Sequence, residues 1–199
     1  MKYPKSFEKL MLSFKDLPGI GEKTAERLVF TLIDFEPKKI EVFAQSLLDV
    51  NLKLKRCSKC NHITENKICE ICSDNTRNNK IICVVEDSRN VFLFEKNGLF
   101  NGVYHVLGGL ISPFEGINPT DINIKSLLNR VKEEKIEEII IALKPTIEGE
   151  TTSLYILKML EGMRVIVSKI AHGIPMGTDM SYLDPLTLET ALNDRKKIS

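Results

Sequence analysis

Cys57-Ser-Lys-Cys60 and Cys69-Glu-Ile-Cys72 place two C-x-x-C pairs on either side of an eight-residue spacer. Each pair sets two thiolates about one turn apart, within reach of one tetrahedral ion. Four such sulfurs close the shell of a structural zinc site and leave no open position for chemistry. The spacer is shorter than in common zinc ribbons, which predicts a compact knuckle. A disulfide pairing fits poorly, because nothing in the chain looks secreted and cytosolic cysteines are more often ligands or catalysts. A redox C-x-x-C would not need a second copy so close by. His62 could replace one sulfur, but four cysteines suffice, and it reads as a loop residue. Metal binding of this kind is also folding free energy, on the order of 10 kcal/mol. This lobe is therefore expected not to fold without its ion.

Working outward, 199 residues allow one large domain or two small ones. The composition is that of a soluble globular protein, 43% hydrophobic and 28% charged. No apolar run reaches the roughly eighteen residues that a membrane span needs. The basic N-terminus leads into an amphipathic pattern and not into a signal core, so a cytoplasmic location is expected. The net charge of +1 does not announce a nucleic-acid partner by itself. Cys83 lies inside the apolar run Ile81–Val85 and reads as a buried, inert thiol.

Before the knuckle the chain reads as helical. Phe7, Leu10, Met11 and Phe14 recur at helical spacing, and a second helix starts at Glu22. A third, from about Pro37 to Lys53, carries Ile40, Phe43, Leu47 and Leu48 on one stripe. After residue 80 the character changes. Short β-branched runs at 81–85, 102–107, 139–143 and 164–168 alternate with helical patterns at 88–96, 124–135 and 150–160. That alternation predicts βαβ units and a mostly parallel sheet. Residues 173–184 read as an ordered loop and 187–195 as a closing helix.

Three further stretches carry candidate chemistry. In Leu17-Pro-Gly-Ile-Gly21, Gly19 and Gly21 let backbone approach a ligand, and the next helix offers free N–H groups with a positive dipole end. Lys23 and Arg27 follow one turn apart. Sugar-phosphate binding, independent of base sequence and strongly salt-dependent, is the expected use; a plain helical corner with a solvated basic face is the alternative. The second stretch is acidic. Glu86, with Asp87 beside it, follows the first parallel strand, and Glu148-Gly-Glu150 follows the third, after Lys144-Pro-Thr146. Ligands of open α/β sheets bind at the carboxyl ends of strands. There Glu86, Glu148 and Glu150 could converge and suit Mg²⁺. Alternatively the two later glutamates only favour a helix N-terminus, with Thr151 helping to cap it. No Tyr, Ser or Cys is obviously poised nearby as a nucleophile. The third stretch, Ala171–Asp179 and then Tyr182-Leu-Asp184, holds His172, which has no visible partner and reads as structural.

Taken in order, the LPGIG hairpin, C-x2-C-x8-C-x2-C, V-V-E-D-S, P-T-x-E-G-E-x-T and G-x-P-x-G-x-x-x-x-Y-x-D-x-x-T-L resemble the bacterial RecR family of recombination mediators. The resemblance spans essentially the whole chain. It implies an α/β architecture of several elements, and four segments. These are a helix-hairpin-helix DNA-binding region over 1–54, a four-cysteine zinc finger over 55–78, a Toprim domain over 79–172, and a Walker-B-like loop and helix over 173–199. It also implies a scaffold and not an enzyme: a DNA-binding dimer or tetramer ring. With RecO and RecF, such a ring helps RecA displace single-strand-binding protein at gaps. Carried over by position, Lys23 and Arg27 lie where basic residues touch DNA, and Cys57, Cys60, Cys69 and Cys72 match the zinc ligands. Glu86, Glu148 and Glu150 take the Toprim acidic positions, in a region that overlaps the docking surface for RecO. Lys144 stands where asparagine is frequent, and His172 where arginine is. Toprim enzymes hold Mg²⁺ with an Asp-x-Asp pair. Here Glu-Gly-Glu stands instead, so a Mg²⁺-dependent enzyme that cuts or joins DNA is the alternative function and not the first.

Overall fold

The computed structural model describes residues 3–195 apart from Leu99, His172, Gly173, Pro175 and Met176. The structural role expected of His172 therefore lies outside the described residues. The chain divides into two compact units, Met1–Leu54 and Lys55–Ser199.

The first unit is helical, with α1 (Lys5–Lys15), α2 (Glu22–Ile33) and α3 (Pro37–Lys53). Its interior is small. Phe7 of α1 and Ala25 and Val29 of α2 are buried, and the Phe7 ring lies 4.4 Å from Tyr3 and 5.0 Å from Phe30. Proline at the first position of α3 suits the helix start, where its missing N–H is no loss. The apolar stripe expected on α3 exists, yet the helix buries no residue.

The second unit opens with a hairpin of β1 (Lys55–Arg56) and β2 (Ile63–Thr64) and a short helix, α4 (Glu70–Ser73). Then come β3 (Asn78–Val85), α5 (Ser88–Lys96), β4 (Gly102–Val106), α6 (Ile124–Glu134), β5 (Glu138–Ala142), α7 (Ile147–Leu160), β6 (Ile166–Lys169) and α8 (Pro185–Asn193). The four later strands form one sheet in the order β4-β3-β5-β6, and every pairing is parallel. Alternation along β3 fixes what each face buries. Ile82 and Val84 join Leu127, Val131, Ile156 and Leu160 in one core, whereas Cys83 and Val85 join Val91, Tyr104 and Val106 in another. Burial on both faces is what a continuous apolar run in a parallel strand requires. Cys83 is buried as expected, and burial pushes its thiol up to about 12.

The start of α7 differs from the sequence reading, and so does its cap. The helix begins at Ile147 and not at Glu150, because the Thr146 side chain accepts from Gly149 N–H and caps it three residues earlier. Thr151 is not the cap; its hydroxyl donates to the Ile147 carbonyl inside the helix. Both glutamates therefore sit in the first turn of α7.

Candidate functional site

The knuckle is built by its backbone. The Cys57 amide donates to the His62 carbonyl at 2.8 Å and the Asn61 amide to the Cys57 carbonyl at 2.9 Å. Asn61 takes a left-handed conformation, with φ 62°, to close this turn. His62 stays in the loop but is buried, edge-on to Phe92 at 4.8 Å. The four cysteine sulfurs all lie within 4.8 Å of one another, and Cys60 and Cys69 are 3.5 Å apart. Sulfurs at about 2.3 Å from a tetrahedral zinc stand about 3.8 Å apart, so the donor set fits that ion in both chemistry and spacing. Cys69 is held far below the usual thiol range, first by its hydrogen bond from Cys60 and then from Cys72. Cys60 is pushed far above that range by its hydrogen bonds to Cys69 and Cys72. A bound cation would favour deprotonation of all four thiols.

The knuckle is also fastened to the sheet. The backbone N–H of Val106, the last residue of edge strand β4, donates to the Cys60 carbonyl at 2.8 Å, and the Asn61 side-chain amide donates to the Val106 carbonyl at 3.0 Å. The Ser88 hydroxyl accepts from Ile63 N–H at 3.2 Å, and Lys59 pairs with Glu134 of α6 at 3.2 Å.

In the helical unit, the turn before α2 has the expected geometry. Gly19 adopts φ 81°, a left-handed conformation that glycine accommodates freely. Gly21 is the N-cap of α2 and supplies no side-chain bond, so the first amides of the helix remain open to a ligand. A recess of about 580 Å³ at this helix start is lined by Gly21, Glu22, Lys23, Thr24 and Glu26, so two carboxylates stand beside the lysine. Lys23 and Arg27 are exposed, lie four residues apart on one helix face, and make no ion pair among the described residues.

The acidic residues are placed by topology. β3 connects to β4 on one side and β5 connects to β6 on the other, so the switch point where such sheets bind ligands lies between β3 and β5. Glu86 leaves β3 there, and Lys144 leaves β5. Their side chains meet, Lys144 Nζ to Glu86 Oε1 at 2.9 Å, while Glu86 Oε2 is buried without a protein partner. Glu150 pairs with Lys169 at the end of β6, at 2.5 Å. Glu148 makes no ion pair among the described residues; its carboxyl is held below the usual range by its own backbone N–H and then by the Thr146 hydroxyl. The expected convergence of Glu86, Glu148 and Glu150 on one Mg²⁺ is thus not what the side chains do. Two of the carboxylates turn to lysines at the ends of neighbouring strands. The four cysteines are the one candidate cluster of three or more ligands among the described residues.

Gly149 was not singled out by sequence reasoning, yet it positions this edge. A Cβ there would lie 1.9 Å from the Lys144 carbonyl oxygen. Only glycine lets the first turn of α7 sit this close to the end of β5. The signal was visible as a glycine between two glutamates. Thr152, also unremarked, accepts from Ile111 N–H at 2.9 Å and donates to the Glu148 carbonyl at 2.6 Å. It ties the loop after β4 to α7.

A helical hairpin, a four-sulfur knuckle and a parallel sheet with helices on both faces make this a modular α/β chain. Residues 80–171 match the Toprim domain model. Residues 7–50 match the RecR helix-hairpin-helix, 54–74 the RecR zinc finger domain of four cysteines, and 173–196 the RecR C-terminal model. The chain is 45% identical over 198 residues to the recombination protein RecR of Staphylococcus saprophyticus, and the match covers the full length of both. This chain belongs to the RecR family. No helix among the described residues is long and apolar enough to cross a membrane.

Proposed function

We propose that this chain serves recombinational DNA repair as a DNA-binding mediator, working by assembly and not by catalysis. The observation that carries the reading is the uncapped N-terminus of α2, beside Lys23 and Arg27, which have no ionic partner among the described residues, inside the family's helix-hairpin-helix segment. Backbone amides and two cations on one face suit phosphates and carry no base information. In this reading Gly19, Gly21, Lys23 and Arg27 contact the sugar-phosphate backbone. Cys57, Cys60, Cys69 and Cys72 hold one structural Zn²⁺ per chain. The acidic edge with Glu86, Glu148 and Glu150 receives RecO, and RecF acts in the same assembly. Together they help RecA onto gaps coated by single-strand-binding protein, in the cytoplasm. The unburied apolar face of α3 supports a homo-oligomer, in which several weak DNA sites gain avidity. The pairing of Glu86 and Glu150 with lysines favours binding over Mg²⁺ chemistry.

One end-labelled gapped duplex, incubated with zinc-loaded protein and Mg²⁺ and split between native and denaturing gels, tests the reading. A shifted band with intact strands is expected. Shortened or joined strands that disappear in Glu150→Gln would mean a Toprim enzyme instead.

A further inference from the structure

Helix α6 buries a whole arginine against the edge of the sheet. Arg130 is 3% exposed, although arginine is almost never fully buried unless paired. Its Nη1 donates to the Tyr104 carbonyl at 2.7 Å, and its Nε reaches Glu134 Oε2 at 3.2 Å. Its Nη2 is buried with no hydrogen-bond partner among the described residues. An orphaned donor on a buried cation is costly unless negative charge lies close by.

Strand geometry sets what lies beside it. β4 is an edge strand, so its outward carbonyls and amides take partners from outside the sheet. Leu107 N–H turns inward, to the Val85 carbonyl of β3 at 2.9 Å. Val106 and Tyr104 therefore turn their backbone groups outward, since direction alternates with a period of two along a strand. On that free edge Arg130 holds the Tyr104 carbonyl, and the Cys60–Asn61 turn holds both backbone groups of Val106. The guanidinium and the knuckle are thus neighbours on one edge, and the field of Arg130 reaches Cys72.

The local charges leave a cation to spare. Lys59, between Cys57 and Cys60, lies 3.2 Å from the same Glu134 oxygen that Arg130 uses. Two cations on one carboxylate leave one positive charge over. Four thiolates around a divalent ion carry more negative charge than the ion cancels.

We propose that Arg130 is the buried counter-charge of the four-sulfur site, a positioning residue that favours thiolates around a bound metal ion. The inference rests on the zinc reading and names a residue outside the cysteines that tunes the site. Glu134 acts against it. Its carboxylate takes up charge from Arg130 and Lys59, so losing it leaves more positive charge for the sulfurs.

The test measures metal binding by the full-length chain in two ways. One is competition for Zn²⁺ with a chromophoric chelator, and the other is the sulfur-to-metal charge-transfer band after Co²⁺ loading. Arg130→Met should bind Zn²⁺ at least tenfold more weakly, the size of effect that outer partners of metal ligands have. Its Co²⁺ band should move to longer wavelength, because a cation beside sulfur stabilises the electrons that sulfur gives up. Glu134→Gln should move both readouts the other way, to tighter binding and shorter wavelength. A bridge that only braces the knuckle would weaken binding in both variants and leave the band in place, which would overturn the proposal. Wild-type affinity in Arg130→Met would overturn it too, and leave the zinc reading standing. Should Arg130→Met fail to fold, Glu134→Gln decides: tighter binding supports the counter-charge, and unchanged or weaker binding overturns it. A wild-type chain that takes up neither ion would remove the zinc reading and this inference together.

Discussion

In the helical unit, a seventeen-residue helix buries no side chain, whereas in the sheet unit the last four residues of β3 are all buried. Leu47 and Leu48 are more than half exposed, and a groove of about 370 Å³ lined by Leu10, Val29, Ile33, Ile40, Phe43 and Leu47 runs between the helices. The sheet unit instead packs helices over its strands and fastens the knuckle to its edge strand. The difference shows that the two units use apolar surface differently. Units near fifty residues enclose little interior, and this one leaves the apolar face of α3 unfilled. The sheet unit encloses a core on each face of its strands, although side chains such as Phe92, Leu93, Leu154 and Leu157 remain exposed on its helices.

The most severe test of this contrast is removal of a zinc ligand. Cys57→Ala or Cys60→Ala should forfeit binding free energy on the order of 10 kcal/mol and leave an aggregating chain without stoichiometric zinc. Because Val106 donates to the Cys60 carbonyl, chelation should also speed hydrogen exchange at the end of β4. A soluble variant with an unchanged melting curve would contradict a structural ion. Next in size is Gly149→Ala, which drives a methyl group into the Lys144 carbonyl and should cost about 3 kcal/mol in urea unfolding. Gly19→Ala meets open space and suffers only its left-handed backbone, about 1 kcal/mol. Equal costs would mean that the two glycines do the same work. The smallest effect on stability should come from Leu47→Asp. It should change dilute-chain unfolding by no more than about 0.5 kcal/mol while lowering the mass seen by light scattering. A large loss of stability at unchanged mass would show that α3 packs within its own chain.

The cysteine spacing, the hairpin glycines and the β-branched runs were legible because each is a local pattern with one physical use. Every long helix and all four parallel strands follow from them, with boundaries shifted by a few residues. The start of α7 escapes such a reading because the reason for Gly149, beside the Thr146 cap, is a tertiary contact with Lys144. The pairing of Glu86 with Lys144 joins residues 58 apart in sequence and has no local signature. Three glutamates at strand ends suggest a cation, and nothing local shows that lysines from adjacent strand ends meet two of them.

The central claim is that the helical unit grips the DNA backbone through the open end of α2. Fluorescence anisotropy of a labelled gapped duplex, measured over a salt series with wild type and with Lys23→Glu/Arg27→Glu, tests it most directly. The variant should bind at least tenfold more weakly with an unchanged melting curve. Its slope of log affinity against log salt should be shallower by about 2 for each chain that contacts DNA, because each lost phosphate contact removes about 0.9. Wild-type affinity and an unchanged slope in the variant would contradict the claim and move the DNA-binding surface elsewhere.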